Sequence, residues 1–138
     1  MTAIGLGSCI ALVLHDTRHA VGACAHIMLP ESGGKTDRPG KYADTAIPLL
    51  IGELTAQGGV KRYFVAKIAG GASMFSNFQG KLNIGKRNIE AVRAHLEAHG
   101  IPIAAEDVGG TVGRTLHYNP AHGGNISVKR ADGSCREF

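Results

Sequence analysis

The sequence predicts an α/β fold: a mixed, largely antiparallel sheet, or two sheets, covered by helices. Three observations predict it. Short apolar runs recur along the chain and read as strands. Two segments between them carry apolar residues at helical spacing. Glycine, at 20 of 138 residues, punctuates the runs as turns do. The order of two strands, helix, strand, helix and several strands suits one layered domain over residues 1–138.

Ile10 to Leu14 is continuously apolar and reads as a buried strand, with Thr17-Arg18-His19 as a turn. Ala20 to Leu29 is a second apolar run, stopped by Pro30, so the pair predicts an antiparallel hairpin. Glu31 to Gly40 is a polar loop directly after His26 and could border a site. Ile47, Leu50, Ile51 and Leu54 predict a helix with Asp44 as N-cap and Gly58-Gly59 as its stop, in which Pro48 is tolerable only if it lies in the first turn. Tyr63 to Ala69 reads as a strand running into Gly70-Gly71-Ala72-Ser73. Ile89, Val92 and Leu96 mark a second helix closed by Gly100. Ile101 to Ala105 is apolar again, and Thr115 to Tyr118 with Asn125 to Arg130 predict a closing hairpin.

Composition excludes several classes. Hydrophobic residues at 43% and charged residues at 19% are an ordinary globular balance. With no Trp and aromatics at 5%, the chain lacks a stacking platform for single-stranded nucleic acid. The net charge of +4 is scattered, which reads as a solvated surface with no nucleic-acid stripe. No apolar run is long enough to span a bilayer, so no membrane insertion is expected. Cysteines at 9, 24 and 135 are odd in number and widely spaced, which fits a reducing compartment better than a disulfide framework. Met1-Thr2-Ala3-Ile4 leads straight into a glycine bend without a leader pattern, so a cytoplasmic location is expected. Gly5-Leu6-Gly7 and Gly70-Gly71-Ala72-Ser73 match no nucleotide fingerprint, and no cofactor is implied.

The candidate chemistry lies in Gly5-Leu6-Gly7-Ser8-Cys9 and in His26, seventeen residues beyond the cysteine. A two-residue Thr17-Arg18 loop would set Cys9 directly opposite His26, with Cβ atoms about 5 Å apart. A loop longer by two would pair Cys9 with Met28 and leave His26 diagonal. A thiol beside an imidazole can attack an amide carbon, with backbone N–H groups holding the oxyanion. Spacing alone leaves Cys9 balanced between a reactive thiol and an inert core cysteine. A zinc site on Cys9, Cys24 and His26 is an alternative that lacks a fourth protein ligand. Ser73 would line the same cleft if its strand neighbours the hairpin.

Several stretches in order carry a resemblance: Gly5-Leu6-Gly7-Ser8-Cys9, Ala25-His26-Ile27-Met28-Leu29-Pro30, Gly40-Lys41-Tyr42-Ala43-Asp44, Ala69-Gly70-Gly71-Ala72-Ser73-Met74-Phe75, Asn83-Ile84-Gly85-Lys86-Arg87-Asn88, and Asp107 with Gly109-Gly110. The chain resembles the chemoreceptor glutamine deamidase family CheD over nearly its whole length. The resemblance implies a cysteine hydrolase with the layered α/β fold of deamidating toxins, Cys9 as nucleophile and His26 as general base. It implies methyl-accepting chemotaxis receptors as substrates and the phosphatase CheC as a further partner. The family's third catalytic residue is a threonine six positions before the cysteine, and Ala3 stands there. The chain also begins near the motif, where family members carry a further N-terminal segment. A non-catalytic adaptor that binds receptors or CheC is the alternative, and transglutamination a third reading.

Overall fold

The computed structural model describes residues 2–34, 38–73, 84–119 and 125–138, with residues 2–4 described by their backbone alone. Strand β1 (Thr2–Leu6) is followed by β2 (Ile10–Asp16), β3 (Gly22–Ile27), helix α1 (Ala43–Ala56), β4 (Phe64–Gly70), α2 (Ile84–Ala98), β5 (Ile103–Val108), β6 (Arg114–Tyr118), β7 (Ile126–Arg130) and β8 (Cys135–Glu137). One four-stranded sheet has the order β3-β2-β4-β5 and the other β1-β6-β7-β8. All pairings are antiparallel except β4 with β5, which are joined through α2. The α/β class and the largely antiparallel character are as the sequence predicts. Strands β1 and β8 were not foreseen. Both are short, and β1 holds Gly5 while β8 is exposed along its whole length.

The molecule has three layers. One face of the first sheet (Ile10, Leu12, Leu14, Ile27, Ile68) packs under α1 and α2, through Ile47, Leu50, Leu54, Val92 and Leu96. The other face (Ala11, Val13, Ala69) packs against Leu6, Leu116, Tyr118, Ile126 and Val128 of the second sheet. Strand β2 is thus buried on both sides, which is why its sequence is continuously apolar from Ile10 to Leu14.

Two local expectations need correction. Helix α1 starts earlier than the sequence suggested, with Tyr42 at its N-cap, so Pro48 lies in the second turn. The buried stripe Ala43, Ala46, Ile47, Leu50 and Leu54 holds the helix despite the missing N–H, and Pro48 faces solvent. Asp44 is not the cap. Its carboxylate accepts from the backbone N–H and Oγ of Ser32, at 3.0 and 2.8 Å, and ties the preceding loop to the helix. Residues 35–37 of that loop, 74–83 after Ser73 and 120–124 of the closing turn lie outside the described residues, so Met74, Phe75 and Asn83 of the matched stretches are not placed.

Candidate active site

The β2–β3 turn decides where the imidazole sits. Asp16 N–H donates to Val21 O at 2.9 Å, which leaves a four-residue loop, Thr17 to Ala20, and not the two-residue loop of the simplest arithmetic. The buried Asp16 carboxylate is the cause. It accepts from the backbone N–H of Arg18, His19 and Val60 at 2.7–2.8 Å and from the His19 ring at 3.0 Å. Ala20 completes the turn at a φ of 55°. The register is therefore Ile10↔Ile27 and Ala11↔His26. Continued one step past the end of the ladder, this register puts Cys9 in line with Met28 and His26 diagonal to it, on the face where Ala11 and Cys9 meet the second sheet. The direct pairing is corrected, and the longer-loop arrangement is the one found.

The bend carrying Cys9 is built by backbone. Gly71 N–H donates to Cys9 O at 2.8 Å and Ala72 N–H to Gly7 O at 3.0 Å. Gly70, at a φ of 110°, lies so close to Cys9 O that a Cβ there would run into it. Strand β4 does neighbour β2, and Ser73 follows directly on this contact, its N–H donating to Gly110 O at 2.8 Å. Helix α2 presses on the same segment: a Cβ at Gly85 would meet the carbonyl oxygens of Ala72 and Gly71.

Asn88, on α2, is fully buried and was given no role by sequence reasoning. Its Nδ2 donates to Ser8 O and to Met28 O, both at 3.0 Å, while its Oδ1 is buried with no partner among the described residues. The signal was present. Asn88 stands three residues after Gly85 and four before Val92 on the buried stripe of the helix, where an asparagine needs hydrogen-bond partners.

Cys9 is half-buried, and burial raises its thiol pKa above the ordinary value. Burial lowers the pKa of His26 below the ordinary imidazole value. Both groups are thus neutral near pH 7. The Nε2 of His26 is buried and has no hydrogen-bond partner among the described residues. A neutral imidazole with an open nitrogen can accept a proton, and such contacts commonly tighten only when substrate arrives. Beside His26 a groove of about 340 Å³ runs along the β3 edge, lined by Cys24, Met28, Arg38, Lys41, Leu49 and Glu53 among others.

Cys24 lies opposite Val13 on the same face, and burial pushes its thiol up to about 11, which leaves it a packing residue at neutral pH. Among the described residues no group of three or more His, Cys, Asp and Glu is placed to hold a metal ion, so the zinc alternative finds no ligand set there. Cys135 is exposed on β8, away from the hairpin. The position of the family threonine, Ala3, pairs with His117 in the second sheet.

At the opposite edge of the first sheet, buried Asp107 receives Arg114 Nε at 3.1 Å and Arg130 at 2.7 Å, with Arg136 at 3.7 Å. Burial alone would raise the Asp107 pKa. The Arg130 hydrogen bond and the charges of Arg114 and Arg130 outweigh it, and the net direction is downward.

A family model described as CheD chemotactic sensory transduction matches residues 28–130. A protein of Thermotoga maritima named chemoreceptor glutamine deamidase CheD is 52% identical over 130 residues, covering 94% of this chain and 81% of that protein. A Clostridium novyi protein named probable chemoreceptor glutamine deamidase CheD is 48% identical over 125 residues, covering 87% and 76%. One of Methanococcus maripaludis with the same name is 44% identical over 128 residues, covering 92% and 83%. The family match begins two residues after His26 and so includes neither Cys9 nor His26. Among the described residues no helix is long and apolar enough to cross a membrane.

Proposed function

The chain belongs to the CheD family, and we propose from that premise that it hydrolyses glutamine side chains of chemoreceptors to glutamate, with Cys9 as nucleophile and His26 as general base. The observation that carries the reading is the shared inner face of β2 and β3. There Ala11 pairs with His26, whose neutral imidazole has no hydrogen-bond partner at Nε2 among the described residues. The half-buried thiol of Cys9, just before β2, packs against the cluster that holds Ala11, and His26 lines an open groove.

In the proposed reaction the Cys9 proton passes to His26 as the sulfur attacks the carboxamide carbon. The tetrahedral oxyanion is held by backbone N–H groups of the bend. His26 returns the proton to the leaving nitrogen, ammonia departs and a thioester remains. Water, deprotonated by His26, attacks the thioester and frees glutamate and the thiol. With Ala3 in place of the family threonine, the far side of the imidazole is oriented by some other group or by packing alone.

The same premise supports a single domain with the layers of the deamidating toxins, a cytoplasmic setting where receptor signalling helices are reachable, and CheC as a further partner. The test is incubation with a purified receptor cytoplasmic fragment in ¹⁸O-labelled water, read by peptide mass spectrometry. Conversion of glutamine to glutamate with label from the solvent is expected. No conversion by wild type, or equal conversion by Cys9→Ala, overturns the reading, and phosphatase stimulation without conversion favours the adaptor.

A further inference from the structure

We propose that Asn88 is a positioning residue that latches the Cys9 bend to the end of the His26 strand, an inference that rests on the deamidase reading given above. Its carboxamide makes two donations, to Ser8 O and to Met28 O, each 3.0 Å long. One acceptor immediately precedes the thiol. The other lies two residues beyond the imidazole, where the chain has left β2: Met28 N–H donates to Lys41 O at 2.8 Å. Strand pairing ends at Ile10↔Ile27, so the ladder itself does not join these two peptides. The Asn88 side chain does so in its place.

The amide orientation is fixed by its partners. Turning it over would set Oδ1 against two carbonyl oxygens. Its Oδ1 has no partner among the described residues, so the hydrogen bonds found there are the two Nδ2 donations that join the bend to the strand. Asn88 is also seated firmly. The next residue, Ile89, packs against Gly71, and Gly85 lies one turn earlier against the Gly71 and Ala72 carbonyls. Helix α2 therefore holds both sides of the bend, and Asn88 carries the relation to the imidazole strand. Misplacement of reacting groups by an ångström is enough to slow a reaction strongly.

The test follows Cys9 alkylation by iodoacetamide against pH in wild type, His26→Ala and Asn88→Ala, with Cys24→Ser and Cys135→Ser in every chain so that one thiol reports. Deamidation of the receptor fragment is measured beside it. Folding is checked by circular dichroism. A wild-type profile that differs from His26→Ala, with Asn88→Ala following His26→Ala, is the expected result. With it kcat should fall roughly tenfold to a hundredfold at unchanged KM. If Asn88→Ala does not fold, Asn88→Leu, which keeps the volume and removes the donors, takes its place. A folded variant with the wild-type profile and kcat overturns the latch alone. Failure of both variants to fold makes Asn88 a determinant of the fold only, and overturns it as well. Wild type and His26→Ala coinciding overturns the catalytic pair and the latch with it. A His26-dependent profile without receptor conversion sinks the reaction and leaves the latch standing.

Discussion

His26 and Asp107 are the two ends of one row across the same sheet. His26 pairs with Ala11, Ala11 with Ala69, and Ala69 with Asp107. The two alanines between them let the second sheet close over the row. The polar ends are treated in opposite ways. Asp107 is saturated, with Arg114, Arg130 and Arg136 around one carboxylate. His26 keeps a buried nitrogen without a partner among the described residues. A buried polar group left unpaired costs free energy, and removing one partner of a buried ion pair costs more, because it leaves an uncompensated charge. The difference separates a carboxylate that ties the two sheets together from the imidazole to which we assign the proton transfer.

Breaking each end should therefore damage different things. His26→Ala is expected to lower deamidation by roughly 10²–10⁴-fold, with a thermal midpoint close to wild type because no hydrogen bond of Nε2 is lost. A loss of activity within a few-fold, or a large fall in the midpoint, would erase the contrast. Asp107→Ala should do the reverse. It leaves the buried Arg114 guanidinium without its carboxylate, and urea denaturation at pH 7 should show a loss of about 3 kcal/mol or more. The pH dependence follows in sign. The folded-state pKa of Asp107 is depressed, so its stabilisation is fully present above the ordinary carboxylate value of about 3.9. It is lost as pH falls through the lower folded-state value. Asp107→Ala should lack that acid-dependent component.

Smaller effects sharpen the same comparison. Gly70→Ala places a Cβ against Cys9 O in left-handed backbone, and should destabilise by roughly 1–3 kcal/mol while slowing turnover. Equal stability and rate would show that the bend is not held from β4. Least in magnitude is the acid limb of the rate profile. Protonated His26 cannot accept a proton, and burial lowers its pKa, so activity should decline only below the ordinary imidazole value of about 6.5. A limb above that value would place the titrating group elsewhere.

The strands and helices that carry the inner core were legible because their patterns are strong: β2 is apolar from Ile10 to Leu14, and α2 repeats Ile89, Val92 and Leu96. The register of the hairpin was legible only as a choice. It depends on Asp16 gathering three backbone N–H groups, one of them from Val60, forty-four residues away, which no local pattern records. Pro48 misled for a similar reason, since tertiary packing of α1 overrides the local preference. Cys9 and His26 were recognisable as a pair, but Asn88 was visible only as a polar residue on an apolar stripe. The latch it forms joins Ser8 and Met28 from a third element, and its meaning appears only when the three are seen together.

The most direct measurement compares wild type with Cys9→Ala on one receptor cytoplasmic fragment under identical conditions, following the fraction of glutamine converted to glutamate over time. The account predicts steady conversion by wild type, and a rate about a thousandfold lower or less in a variant that folds normally. Conversion by Cys9→Ala at the wild-type rate would contradict it.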